Sequence, residues 1–150
     1  MSSDASDITL PNVEGPTSAM RLALADAGLA PEAIDYINAH GTGTVANDTT
    51  ETKAIHAVFG AHARKLALSS TKSMHGHALG AAGGIELAAT LLAMQHNLMP
   101  PTINYTGADP ACDLDVVPNE PRARRIDAAL SNSFAFGGLN AVVAVKRFAA

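Results

Sequence analysis

The chain has 150 residues, a net charge of −4, 47% hydrophobic residues, 16% charged residues and one cysteine. That length predicts one domain. The charge balance, with no basic block, argues against nucleic acid as a partner; the lone cysteine rules out an internal disulfide and fits a reducing compartment. A charged fraction well under the roughly 25% of ordinary domains predicts that part of the surface is covered by another half or subunit.

Residues 1–15 read as a loop rich in Ser, Asp, Asn and Pro, with no secretory leader pattern. A helix is predicted over residues 16–27, where Ala19, Met20, Ala23, Leu24 and Ala27 repeat at helical spacing and Gly28 stops it. After a turn at Pro31-Glu32-Ala33, residues 34–39 read as a strand that delivers His40 to its end. Gly41 and Gly43 allow a tight turn. Asn47 or Asp48 is expected to cap the next helix, with Glu51 closing a capping box on Asp48, and Gly60 ends it.

Residues 66–70 form the next predicted strand. It hands over to Lys72, His75-Gly76-His77 and a helix beginning near Ala78. Strand-to-helix transitions of this kind are where open α/β sheets bind ligands, and helix N-termini favour negative charge. The helix runs to about Gln95. Its Ala and Gly content on all sides predicts burial all round, and Gly83-Gly84 predicts close backbone contact. Glu86 and the glycines interrupt the best apolar run, so no membrane span is expected.

After Pro100-Pro101 comes a long, proline-punctuated connection over residues 102–125, with one short strand expected over 114–117. Arg122-Ala123-Arg124-Arg125 reads as a solvated turn. Residues 128–132 and 141–148 read as the last strands, the second apolar enough for burial on both faces, with Phe136-Gly137-Gly138 as the turn between them. Alternating helices and strands give an α/β class, a layered mixed sheet packed between helices.

On the residues alone, His40 and His77 read as structural histidines near strand ends. Three ordered segments change that reading: Asn38-Ala39-His40-Gly41-Thr42-Gly43-Thr44, the run from Ser70 through Lys72 and His77 to Gly83, and Asn132-Ser133-Phe134-Ala135-Phe136-Gly137-Gly138-Leu139-Asn140. Together they resemble the motifs of the β-ketoacyl-acyl-carrier-protein synthases, the condensing enzymes of fatty acid and polyketide synthesis. The likeness runs from Ser2 to about Phe148.

The resemblance implies one C-terminal half of a thiolase-like fold, spanning residues 1–150, with the nucleophilic cysteine in the other, N-terminal half. A strand is expected just before Met1, so its loss would leave a sheet edge or apolar face exposed. The implied chemistry is decarboxylative condensation of a malonyl thioester with an acyl thioester. His40 and His77 would hold the enolate oxygen, and Lys72 would act electrostatically beside an acidic partner, Glu51. Thr42 and Thr44 would contact the pantetheine arm, and Phe136 would gate the acyl pocket; as turn residues, the two threonines could equally satisfy their own backbone. Ala135 and Leu139 stand where glycine and threonine are common in the motif.

The implied partners are acyl carrier protein with its pantetheine-linked groups, the missing half and a second subunit, with no cofactor and no metal, in the cytoplasm. A chain lacking the nucleophile is expected not to condense alone. The rival reading is a non-catalytic half that only pairs in a thiolase-like dimer. A thiolase is disfavoured because thiolases typically use a second cysteine near the C-terminus in place of one histidine, and nothing like that follows His77. A three-histidine zinc site at His40, His75 and His77 is disfavoured by its spacing. His56, His62 and His96 read as surface residues. Cys112 sits among acidic residues, which suppress a thiolate, so it is not the nucleophile.

Overall fold

The computed structural model describes residues 1–4, 7 and 9–148. Five strands form one sheet in the order β1-β7-β6-β2-β3. Strands β2 (Tyr36–Asn38), β3 (Ala67–Ser69) and β6 (Ala128–Ala135) are parallel, with Ile37 opposite both Leu68 and Leu130. Strand β7 (Leu139–Lys146) runs back along β6, and β1 (Ser2–Ser3) pairs antiparallel with the start of β7. Three carboxyl ends therefore open on one side of the sheet, which is where an α/β sheet places ligands.

Side chains alternate across the strands, so the two faces separate cleanly. Ile37 and Leu130 turn toward Met20 and Leu24 of α1 (Glu14–Ala27) and Ile55 and Phe59 of α2 (Val45–Phe59). Tyr36, Ala67 and Ala129 turn toward Ala93 and Met94 of α4 (Ala82–His96). Alanines on that face let α4 approach closely. Three layers result, with the sheet between helices, as the α/β reading requires.

Helix α1 starts two residues before the predicted Pro16, because the Asn12 Oδ1 accepts the Gly15 N–H. It ends as expected at Gly28, whose φ of 62° is left-handed and lets the Leu29 N–H reach the Leu24 carbonyl. Helix α2 is capped by Thr44, which accepts the Asn47 N–H, and not by Asn47 or Asp48. Glu51 closes no capping box; its oxygens are engaged elsewhere.

Several expectations are corrected. Part of the predicted N-terminal loop falls on residues 5, 6 and 8, outside the described residues, but Ser2–Ser3 is a strand held by β7. A one-turn helix, α3 (Lys72–His75), intervenes before the helix expected near Ala78, ending at Gly76 with φ 77°, and that later helix starts at Ala82. No strand forms over 114–117, because Val117 adopts a left-handed φ of 48° that breaks the extended run. Strands β4 (Leu98–Met99) and β5 (Arg122–Ala123) pair instead, so the arginine cluster is partly a strand.

Burial also differs from expectation. Helix α4 buries Ala82, Glu86, Thr90, Ala93 and Met94 along one side only, while Ile85, Leu91 and Leu92 are exposed. The Gly83 α-carbon lies close enough to Ser133 that an added methyl would meet its hydroxyl at 3.4 Å, whereas Gly84 faces open space. Strand β7 is half-buried, not buried on both faces, and Val143 is exposed.

Ile37 is fully buried where the sheet meets α1 and α2. Ile37→Ala is expected to lower unfolding free energy by about 2–5 kcal/mol, read as a lower urea midpoint at unchanged m-value.

Candidate active site

Each of the three sequence motifs ends a strand, and the parallel ends of β2, β3 and β6 bring them together. The first delivers His40, the second Lys72 and His77, the third Asn132 and Phe134. The rings of His40 and His77 meet edge to face with centroids 5.6 Å apart. Phe134 packs on His40 from the other side, also at 5.6 Å. His40 is buried, whereas His77 is exposed.

A buried carboxylate fixes the His40 loop. Glu51 Oε1 accepts the His40 N–H at 3.0 Å and the Asn132 side-chain amide at 3.0 Å, and Oε2 accepts the Gly41 N–H at 2.9 Å. Burial pushes the Glu51 carboxyl up, against the opposing pull of these donors and of Lys72. Gly41 has φ 41°, and a Cβ there would stand 2.5 Å from the Ser70 Cβ. The Ser70 hydroxyl donates to the Gly41 carbonyl at 2.6 Å, tying the first motif to the second. Only glycine fits this crossing.

The partner of Lys72 is Glu86, not the expected Glu51. Both side chains are almost fully buried and form an ion pair. Glu51 is already saturated by N–H donors, whereas Glu86 projects from the inner side of α4. Asn38 completes this inner layer, donating to the Glu86 carbonyl at 3.0 Å and contacting the Thr71 and Thr90 hydroxyls. Glu86 had a legible signal: it is the one charge in the otherwise uncharged helix Ala82–His96, and a lone charge on a packed helix needs a partner. Asn132 and Phe134 were also missed as site residues, although they lie within the third motif.

Tautomers follow from the donors. The Leu79 N–H points at His77 Nδ1 at 3.1 Å, so the neutral ring carries its proton on Nε2. Leu79 adopts a left-handed φ of 49° with its side chain exposed. Among the described residues His40 Nδ1 has no hydrogen-bond partner. Burial, then Lys72, then His77 push the His40 imidazole down to about 3, so it stays neutral at physiological pH.

The other predicted residues are placed as follows. The Thr42 and Thr44 hydroxyls lie 3.0 Å apart, and Thr44 also caps α2. Phe136 is 77% exposed on the β6–β7 turn, where Gly137 and Gly138 have φ of 72° and 75°. His75 hydrogen-bonds the Gly76 carbonyl and the Thr71 hydroxyl. His56 is paired with Asp113, and His62 bonds the Ile34 carbonyl, so both are more engaged than surface residues. Burial is the largest cause that pushes the Cys112 thiol up, ahead of Asp109, Asp48 and Asp113. A cavity of about 610 Å³ runs from Lys72 and His77 between α2 and residues 102–116.

The neutral His40 imidazole, the His77 ring beside it and the buried Lys72 side chain can together hold an oxygen on which negative charge develops. The comparisons with known proteins agree with this layout. A family model described as "Beta-ketoacyl synthase, C-terminal domain" matches residues 1–106. The chain belongs to the β-ketoacyl synthase family. It is 57% identical over 147 residues to nodulation protein E of Rhizobium meliloti, covering 98% of this chain and 37% of that protein. It is 54% identical over 150 residues to 3-oxoacyl-[acyl-carrier-protein] synthase 2 of Synechocystis sp., covering 99% of this chain and 36% of that protein. A solved type II polyketide ketosynthase in complex with its acyl-carrier protein superposes with a TM-score of 0.94 at 38% identity, over 98% of this chain and 36% of the neighbour. The chain thus spans a little over a third of the length of the relatives it matches.

This geometry has two measurable consequences. Gly41→Ala adds a methyl against Ser70 at a left-handed position, and is expected to cost at least about 2 kcal/mol in urea unfolding. The His40 imidazole protonates near pH 3 when folded and at its ordinary 6.5 when unfolded, so the unfolded chain binds more protons between these values. Its stabilising contribution is complete above pH 6.5 and is lost on acidification toward pH 3, at up to about 1.4 kcal/mol per pH unit. Urea titrations at several pH values should show this slope, and His40→Gln should flatten it.

Proposed function

We propose that this chain is the C-terminal half of a 3-oxoacyl-[acyl-carrier-protein] synthase and supplies the decarboxylation half of its site. The observation that carries this reading is the edge-to-face contact of His40 and His77 in front of the buried Lys72–Glu86 pair. In the proposed reaction, the bond between the malonyl α-carbon and its carboxylate breaks and its electrons pass into the thioester. The enolate oxygen is held by imidazole N–H donors. Carbon dioxide leaves, and the enolate carbon attacks an acyl thioester on a cysteine of the N-terminal half, whose thiolate departs.

His77 donates from Nε2 because the Leu79 N–H occupies Nδ1. His40 donates because its environment keeps it neutral: a neutral ring retains one N–H and gives up no proton to quench the carbanion. Lys72 holds a positive charge behind both rings without offering it to solvent. Glu51 supports the site by holding the His40–Gly41 backbone. Thr42 and Thr44 receive the pantetheine arm, and Phe136, on its glycine-flanked turn, gates the acyl pocket. Metal and cofactor have no part in this scheme.

Acyl carrier protein is the proposed delivery partner, by analogy with the solved ketosynthase complex. The whole enzyme is proposed to act as a homodimer in the cytoplasm. A second reading, a half that serves only to pair, is favoured by one observation: the outward side of α4 exposes Ile85, Leu91 and Leu92. The two readings differ in whether the histidines matter once the core is completed.

The test is activity with and without a nucleophile-bearing half. This chain alone should form no ketoacyl product from malonyl- and acyl-carrier protein. Joined to the N-terminal half of the Synechocystis relative, it should condense, and His40→Ala or His77→Ala should each reduce malonyl decarboxylation by about 10²–10³-fold. Product from the chain alone would overturn the proposal; decarboxylation indifferent to both substitutions would favour the pairing role.

A further inference from the structure

The cavity behind His77 has a second wall that the catalytic reading does not use. Residues 102–116 supply Ile103, Tyr105, Asp109 and Cys112 to it. The base of this segment is clamped: the Thr102 N–H reaches the Val117 carbonyl, the Tyr105 N–H reaches Asn119 Oδ1, and the Asn119 amide returns to the Tyr105 carbonyl. Left-handed φ values at Asn104, Val117 and Asn119 turn the chain sharply at both ends of the span. Between these ends, residues 106–111 are all exposed. The backbone bonds given there are internal, from Ala111 and Cys112 to Asp109.

The far end is fastened by side chains. One Asp113 carboxylate takes His56 of α2 at 2.6 Å and also Arg64 of the 3₁₀ turn after α2. Just before it, Cys112 lines the cavity together with Thr52 of α2. We propose that residues 104–113 form a strap that opens and closes the cavity behind His77, and that the double bridge from Asp113 to His56 and Arg64 is its latch. The strap gives small molecules a route to the histidine end of the cavity. It does not depend on the catalytic reading.

Cys112, the one cysteine of the chain, reports on the latch. Uncharged iodoacetamide alkylates its thiolate, releasing iodide, at a rate set by access and by thiolate content. Removing Asp113 would confuse the two, because that carboxylate itself raises the thiol pKa. Removing its two partners separates them. His56→Gln with Arg64→Gln unfastens the strap but leaves the acidic neighbours less compensated, which alone would slow alkylation. The double variant is expected to label about fivefold faster than the unmodified chain, and Arg64→Gln alone about twofold, the scale of exposed ion pairs. Asp127→Asn breaks a comparable pair with Arg125 away from the cavity and should leave the rate unchanged. Labelling of both latch variants at or below the original rate would overturn the proposal. So would an equal acceleration by Asp127→Asn, which would mean general loosening.

Discussion

The Glu51 carboxylate is the constraint on which the site depends. It sits on α2, yet all its strong bonds go elsewhere: to the His40 and Gly41 amides after β2 and to the Asn132 side chain on β6. A turn leaving a buried strand has amides that must find acceptors, since an unpaired buried N–H costs about as much as a lost hydrogen bond. One carboxylate answers two of them and draws in the third motif as well. His40 therefore cannot swing away without taking one of its donors from Glu51 in a fully buried place. The desolvation that pushes Glu51 up and the donors that pull it down describe this one compromise.

Behind that clamp lies a second buried charge system, arranged differently. Lys72 and Glu86 come from separate helices, and neither is free to reach water. A buried pair is weak evidence for stability, because replacing both by apolar groups is often neutral or stabilising, while removing one partner costs about 3–5 kcal/mol. Its presence is better understood through what it does to its neighbour. Lys72 stands second only to burial in pushing the His40 imidazole down. Glu86 lets that ammonium exist at depth, and Asn38 fastens the α4 backbone where Glu86 leaves it. The neutrality of His40 thus comes first from burial and then from the buried Lys72 beside it.

The fold was legible wherever local chemistry decided it. Gly28 and Gly60 ended their helices, and the apolar spacing of Met20 and Leu24 gave α1 its inner face. Alternation was weaker but sufficient for β2 and β3, since a buried strand needs only a few apolar residues. The failures came where a partner distant in sequence decided. Val117 is β-branched and reads as strand, but its carbonyl is fixed on Thr102 through a left-handed turn. Lys72–His75 is too short for periodicity to reveal. Glu51 looked like a capping residue because Asp48 lies three positions earlier, while Thr44 already provided the cap. Of the site, the two histidines and the lysine were visible as motif positions, and the structure places them together. The carboxylate paired with Lys72 was misread as Glu51, because Glu86, the one charge of α4, was taken as a break in an apolar run and not as a buried partner.

The low charge content has a structural counterpart. Exposed apolar residues lie on α4 at Ile85, Leu91 and Leu92, and on β7 at Leu139 and Val143. A surface helix ordinarily keeps charge on its outer side; α4 has none there, its one carboxylate being turned inward to Lys72. That inversion ties the two features together. The ammonium beside the histidines requires Glu86 on the inner side, and a helix that spends its only charge inward is left apolar outward. The same residue that pairs with Lys72 therefore leaves the outer side of α4 without a charge. The strand tips that carry the site and the uncharged outer side of α4 thus belong to one arrangement, because the single carboxylate of the helix serves the first and is missing from the second.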